Sequence, residues 1–208
     1  MKIGVIQATS QRDKNELLYH STAIAVKPYG HEVINFGCFP DEPYSFSYIE
    51  IAVAVSLLLA SGAVDFVVTG CSSGQGMMLA CNSLPDVICG YVETPQDAFL
   101  FGRINDGNAV SFPLGLNFGW AGEINLKCTL EQLFAEPFGM GYPAGDAKRK
   151  MKDTKKLKEM NRITKRTMAE VLPWLDKELV RKAMGRKIVS DYIGAYGNNR
   201  QLMELLNR

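Results

Sequence analysis

The sequence predicts an α/β fold in three layers, a parallel β-sheet between two sets of helices, followed by a helical extension. Three observations carry this. Short apolar, β-branched runs alternate with longer segments of helical period over the first two-thirds of the 208 residues. One of those runs, VDFVVTG at residues 64–70, is apolar almost throughout, as suits a central parallel strand covered on both faces. From Lys148 onward the alternation gives way to a charged sequence of helical character. The repeated βα pattern is that of a Rossmann-like sheet, which divides the chain into an α/β domain at 1–146 and a basic helical extension at 147–208.

The elements follow in order. KIGVIQA is the first strand, and a helix from about Asp13 to Tyr29 follows, with Leu17, Leu18, Ala25 and Val26 on one face and Gly30 as its stop. HEVINFG is the second strand, and CFPDEPYS has the Pro, Asp and Ser content of a loop. The apolar run IAVAVSLLLASGAV is too short to span a bilayer and reads as part of a buried helix from about Ser47 to Ser61. After the third strand comes the turn GCSSGQG, then a helix beginning MMLACNS. PDVICGYV is the fourth strand, TPQDAFLFGRIN a helix opening at Thr94 with Pro95 at its first position, and GNAVSFPLG the fifth strand. A helix over 123–136 and the Gly/Pro-rich linker FGMGYPAGDA lead into the extension, which has enough apolar residues to dock on the core or on a partner subunit. Right-handed crossovers gather the strand ends and their loops at one edge of the sheet, where ligands of such folds bind.

Composition narrows the function. At 47% hydrophobic residues the chain fills a full core. MKIGVIQATSQRDK lacks a secretory apolar segment, and five cysteines without CxxC spacing argue against a disulfide framework or a zinc site, so a cytoplasmic, reducing location is expected. Two histidines, His20 and His31, are too few for a His triad or a multi-His metal site. Net charge is +1, yet residues 148–166 hold ten Lys and Arg against Asp153 and Glu159. Such a stretch is either a solvated helical face or a patch for a phosphate-bearing or nucleic-acid partner. No aromatic residue is interleaved with those charges, so base stacking is not encoded there.

The strand–turn–helix VVTGCSSGQGMMLACN carries the chemistry. Small residues let backbone N–H groups converge, and a helix amino terminus adds positive potential, which suits an anion. The turn lacks the GxGxxG spacing of a dinucleotide site and follows the third strand rather than the first, and no Lys follows its last glycine as a Walker A loop requires. Cys71 sits in this turn, where a helix terminus favours thiolate, and is a candidate base or nucleophile. Cys38, Cys81, Cys89 and Cys128 read as buried small hydrophobes.

The string CSSGQGMMLACN, followed after a strand and helix by NDGNAVSF, resembles the ribose-5-phosphate isomerase B and galactose-6-phosphate isomerase family, whose members read CGTGxGxxxAAN and then HNDxNVLxFG. YSFSYIEIAVAV corresponds to that family's YPxYAxxVAxAV helix, and the likeness extends over about residues 1–150. The resemblance implies an aldose–ketose isomerase of sugar phosphates, in the manner of the pentose phosphate pathway, working through a cis-enediolate. A base moves a proton between C1 and C2, while preorganised donors hold the developing enediolate oxygen. It implies Cys71 as base, Ser73 in the place of a family Thr that assists on the sugar oxygens, and backbone N–H groups of Gly74, Gln75 and Gly76 as the anion site. Asn105 matches the Asn that bonds the sugar, Asn82 and Asn108 hold loop geometry, and Tyr44 matches a Tyr near the site, with pocket and plain loop roles both open. No metal or organic cofactor is called for.

Departures accompany the matches. The family's Asp-His after the first strand is Ala8 and Thr9, with Thr9 left as a substrate-binding candidate, and the ring-opening His before Asn-Asp is Ile104. Imidazole gives and takes a proton near pH 7, and isoleucine does not. The phosphate-binding Arg after the fifth strand falls on Gly115, and GRHxxR becomes Gly145, Asp146, Ala147, Lys148, Arg149 and Lys150. Three readings result. The enzyme takes a different sugar phosphate, presented open-chain, with phosphate held by Arg12, Lys148, Arg149 or Lys150 across a dimer interface; or it is one half of a heteromeric isomerase; or it is a silent sugar-phosphate-binding module. A homodimer with shared sites is expected from the family, and a nucleic-acid binder is the competing class. Trp120 and Trp174 read as packing anchors, His20 as a helix-surface residue and His31 as a strand-start residue.

Overall fold

Strands β1 (Lys2–Ile6), β2 (Glu32–Gly37), β3 (Phe66–Cys71), β4 (Cys89–Tyr91) and β5 (Ala109–Pro113) form one parallel sheet in the computed structural model, which describes residues 1–206. The strand order is β2-β1-β3-β5-β4. All six residues of β3 are buried, as its apolar run predicts. β4 has three residues rather than the eight expected. The Asn108 side chain accepts from the Ile88 N–H and donates to the Asp86 carbonyl, holding 86–88 as a loop, and Asp86 has a φ of +61°.

The expected helix over 13–29 is three pieces: a 3-10 turn at Thr9–Lys14, α1 (Asn15–Val26) and a 3-10 turn at Lys27–Tyr29. Pro28 has no N–H to continue the α ladder, and Gly30 closes the segment at a φ of +67°. α2 (Tyr48–Ala60) opens on a capping box between Ser47 and Glu50, and α4 (Pro95–Leu100) on one between Thr94 and Asp97. Between them lies α3 (Gln75–Asn82), which follows the glycine turn. α4 runs into a π turn at Phe101–Asn105, and α5 (Gly122–Phe134) completes the α/β part.

Among the described residues the extension is five α-helices, α6 (Ala147–Thr164), α7 (Met168–Val171), α8 (Lys177–Gly185), α9 (Lys187–Tyr196) and α10 (Arg200–Leu206). α6 buries only Thr154. The later helices dock on α2: Met168, Ala169, Ala183, Val189, Ile193 and Leu202 join one apolar cluster with Ile51, Val55 and Leu58. This accounts for the unbroken apolar character of α2, buried from Ile51 through Leu58, since sheet and extension cover opposite sides of it. Lys165 ties the extension to the core by donating to the carbonyls of Asn82, Leu84 and Val87 at 2.8, 3.0 and 3.3 Å.

Three expectations are corrected. Trp120 and Trp174 are not packing anchors within the chain, being 101% and 82% exposed, and Cys128 is exposed because it lies on the outward side of α5. No helix among the described residues is long and apolar enough to cross a membrane.

Candidate active site

The chain leaves β1 toward β2 on one side and returns to β3 on the other, so the sheet's topological switch lies between β1 and β3. Loops leaving the carboxyl ends of neighbouring strands diverge there and open a crevice. In that crevice is an open pocket of about 400 Å³ lined by Ala8, Ser10, Phe46, Ser47, Tyr48, Cys71, Ser72, Ser73 and Gly76.

Its walls are fixed from beneath. Gln7, just past β1, donates through Nε2 to the Cys38 carbonyl and accepts from Asn15 Nδ2, which also donates to Asn35 Oδ1. This amide network joins the end of β1, the start of α1 and the end of β2. The Thr9 backbone N–H donates to the Phe46 carbonyl, and Thr9 Oγ1 accepts from the Phe46 N–H at 2.7 Å. Ser10 and Gln11 reach across to Ser72 Oγ, at 3.3 and 3.0 Å.

Cys71 ends β3 at the floor of the pocket and is 7% exposed. Gly74 is the N-cap of α3 at a φ of +72°, and among the described residues no side chain caps that helix. The first N–H groups of a helix lack intrahelical acceptors, so this end faces the pocket with donors available to an anion. Gly74 has no room for a side chain: a Cβ would lie 2.8 Å from Pro113 N and 2.9 Å from Tyr91 Cε2. Tyr91 donates its hydroxyl to Glu93 Oε2, and burial with this bond pushes its pKa up to about 12, so it stays protonated.

Burial pushes the Cys38 thiol up, against the opposing influence of Thr9 and Arg186, and at the amino edge of the sheet a hydrogen bond to Cys81 with burial pushes Cys89 well up. Among the described residues no cluster of three or more His, Cys, Asp or Glu side chains is arranged to hold a metal.

The sequence-predicted residues fall into two groups. Thr9, Cys71, Ser73, Gly74, Gln75 and Gly76 lie together at the carboxyl edge, with Arg12 beside them donating to the Glu42 carbonyl. Asn105 ends the π turn just before β5, at the amino edge, where the Val67 N–H bonds the Asn108 carbonyl. That is roughly 13 Å of strand away from Cys71. α6 is tied to the same edge by Thr154, whose hydroxyl bonds the Ile104 carbonyl, and by Lys158, which pairs with Asp106. Lys148, Arg149 and Lys150 open this helix, and Arg149 is engaged with Asp146 and Asp153. Tyr44 is 72% exposed on the 38–47 loop and is outside the pocket lining.

Sequence reasoning missed Ser10, Phe46, Ser47, Tyr48 and Ser72 as pocket residues. The signal was present, since all five lie in loops or helix starts at the carboxyl edge.

Comparison with known proteins agrees with this architecture. A family model described as ribose/galactose isomerase matches residues 9–126. A 4-deoxy-L-threo-5-hexosulose-uronate ketol-isomerase, solved with a tartrate, superposes with a TM-score of 0.95 and 36% identity, covering 100% of this chain and 98% of its own. A ribose-5-phosphate isomerase from Vibrio parahaemolyticus does so with a TM-score of 0.94 and 36% identity over the same shares. A type B ribose 5-phosphate isomerase from Trypanosoma cruzi, at 20% identity and a TM-score of 0.64, covers 77% of this chain and 98% of its own, and shares the fold. No curated protein matches the chain. The glycine turn with Cys71 at its mouth, the five-stranded sheet and these matches agree: the chain belongs to the ribose/galactose isomerase family and is an isomerase.

Proposed function

We propose that the chain is a ketol-isomerase that moves a proton between adjacent carbons of an open-chain sugar through a cis-enediolate, with Cys71 as the base. The observation that carries this is the position of Cys71 at the pocket floor, in front of the uncapped amino end of α3. In the reaction, Cys71 removes the proton from the hydroxyl-bearing carbon, and its electron pair forms the enediolate double bond. Negative charge develops on the former carbonyl oxygen, where the N–H groups of Gly74, Gln75 and Gly76 lower its energy. Ser73 carries the proton between the two oxygens, and Cys71 returns its proton to the neighbouring carbon.

The substrate we infer is open-chain and ends in a carboxylate. Ile104 offers no group to open a ring, Gly115 stands where the resemblance places a phosphate Arg, and Arg149 is neutralised by Asp146 and Asp153. The relative named as a uronate ketol-isomerase supports this at 36% identity over the full chain. A sugar phosphate, ribose 5-phosphate or galactose 6-phosphate, is the second reading. It is favoured by the equally similar relative named as a ribose-5-phosphate isomerase, and by the lysines that open α6. Because Asn105 and Lys150 lie at the opposite edge from Cys71, we infer that a second copy of the chain brings them to the site, in a homodimer.

The deciding experiment is proton exchange followed by NMR in D₂O with 4-deoxy-L-threo-5-hexosulose-uronate, ribose 5-phosphate and galactose 6-phosphate. Exchange with the uronate, reduced by roughly 10²–10⁴-fold in Cys71→Ala, is expected. Exchange with a phosphate alone selects the second reading, and exchange that survives Cys71→Ala removes the proposed base.

A further inference from the structure

A buried cation from the extension stands directly behind the pocket wall. Arg186, between α8 and α9, is 5% exposed. Its Nη1 and Nη2 bond Glu42 Oε2 and Oε1 at 2.6 and 2.7 Å, a bidentate pair. Nη2 also donates to the Phe36 carbonyl at 2.5 Å, Nη1 lies 3.6 Å from Cys38 Sγ, and the guanidinium sits 4.7 Å from the centre of the Phe46 ring. Gly37 leaves the space for it: a Cβ there would run into the guanidinium.

Glu42 is the centre of the 38–47 loop. Its carboxylate accepts from the Phe39 N–H, its own N–H bonds the Phe39 carbonyl, and its carbonyl accepts from Arg12. The loop then delivers Phe46, Ser47 and Tyr48 to the side of the pocket facing Cys71. Arg186 holds this loop at its centre, through Glu42, and near its far end, through the Phe46 ring. It lies outside the span of the family model, residues 9–126.

We propose that Arg186 is a positioning residue for the isomerase site, through which the C-terminal extension sets the Phe46–Ser47–Tyr48 wall opposite Cys71. This rests on reading the Cys71 pocket as the site of reaction. A wall that holds the part of a substrate that does not react contributes to binding more than to proton transfer, so its displacement raises KM more than it lowers kcat. A general loss of folded protein does the reverse, lowering apparent kcat at constant KM.

The test combines hydrogen exchange of the intact chain with steady-state kinetics on 4-deoxy-L-threo-5-hexosulose-uronate, for Arg186→Met, Arg186→Lys and Glu42→Gln. In Arg186→Met the amides of Phe39, Glu42 and Phe46 are expected to exchange at least about tenfold faster, with those of α2 and α9 unchanged. KM rises about tenfold and kcat stays within about threefold. Arg186→Lys is intermediate, because an ammonium cannot bond both carboxylate oxygens in a fixed fork. Glu42→Gln leaves Arg186 in place and moves exchange and KM in the same direction, so the test survives a Met variant that does not fold. Unchanged loop exchange and unchanged KM in Arg186→Met, or in Glu42→Gln where the Met variant fails to fold, overturn the proposal. If the native chain does not turn over the uronate while loop exchange still responds, the substrate reading fails and the coupling of Arg186 to the loop stands.

Discussion

Ser111 Oγ, on β5, donates to the Gly74 carbonyl at 2.7 Å in the buried interior, fixing the glycine turn to the neighbouring strand. The turn that leads into α3 is thus held by a hydroxyl from below as well as by its own backbone. Gly74→Ala adds a Cβ at positive φ against Pro113, Phe112 and Tyr91. It is expected to cost about 2 kcal/mol or more in urea unfolding and to abolish isomerisation. Ser111→Ala, which only removes the bond, is expected to cost about 1 kcal/mol.

Gly76→Ala separates stability from activity. Gly76 lies inside α3, and an added Cβ meets the Tyr48 ring at 3.4–3.6 Å, close to ordinary contact. Gly76 is in the first turn, where Ala in place of Gly stabilises by about 0.5 kcal/mol, the low end of the helix-interior range. The melting temperature should therefore rise while KM increases, because the methyl narrows the pocket beside Cys71. A fall in both stability and activity would mean that the pocket wall cannot yield.

Thr9→Val removes the acceptor of the Phe46 N–H and keeps the shape of the side chain. An amide left without a partner costs about 1–3 kcal/mol. Thr9→Ser retains the hydroxyl and should behave as the native chain, so comparing the two variants in urea unfolding and in KM isolates the hydrogen bond from the methyl group.

Acid should loosen the hold of the extension on the pocket loop. Burial alone pushes the Glu42 carboxyl up, but the Arg186 bonds, the Phe39 amide and the nearby Arg186 and Arg12 charges outweigh it, and its pKa lies below the ordinary value. Glu50 is likewise lowered, burial being outweighed by Lys182 and Ser47. A carboxyl with a lowered folded value contributes stability above its unfolded pKa and loses it as pH falls through the folded one. Lys182 is raised by its bond to Glu50, so its contribution is full below the ordinary lysine value and is lost as pH rises through the folded one. Urea midpoints should be flat through neutrality and fall below about pH 4, with a shallower acid limb in Glu50→Gln.

The sheet was legible because β3 is apolar on both faces and because Ser47, Thr94 and Gly30 mark helix ends through chemistry that acts over three or four residues. The glycine turn was legible for the same reason, since strand, Cys71, glycines and helix are contiguous. What escaped depends on distant partners. Phe46 and Tyr48 become pocket residues only when β1 and β2 lie side by side, and Arg186 becomes buried only against a carboxylate 144 residues earlier. β4 is shorter than its apolar pattern predicts because the Asn108 side chain competes for backbone groups that the pattern assigns to a ladder. Trp120 and Trp174 show the remaining weakness, since residue type alone does not say which side of an element faces solvent.

α2 separates the break in composition from any break in cooperativity. With the sheet on one side and α7, α8 and α9 on the other, it has no side prepared for water between Ile51 and Leu58, so a chain ending near residue 146 would bare the apolar side of α2 that the extension covers. The change in charge at residue 147 therefore marks where the sequence alters its character without marking a seam along which the molecule comes apart. A calorimetric scan of the whole chain is expected to show one endotherm, with helices 168–206 and the sheet melting together.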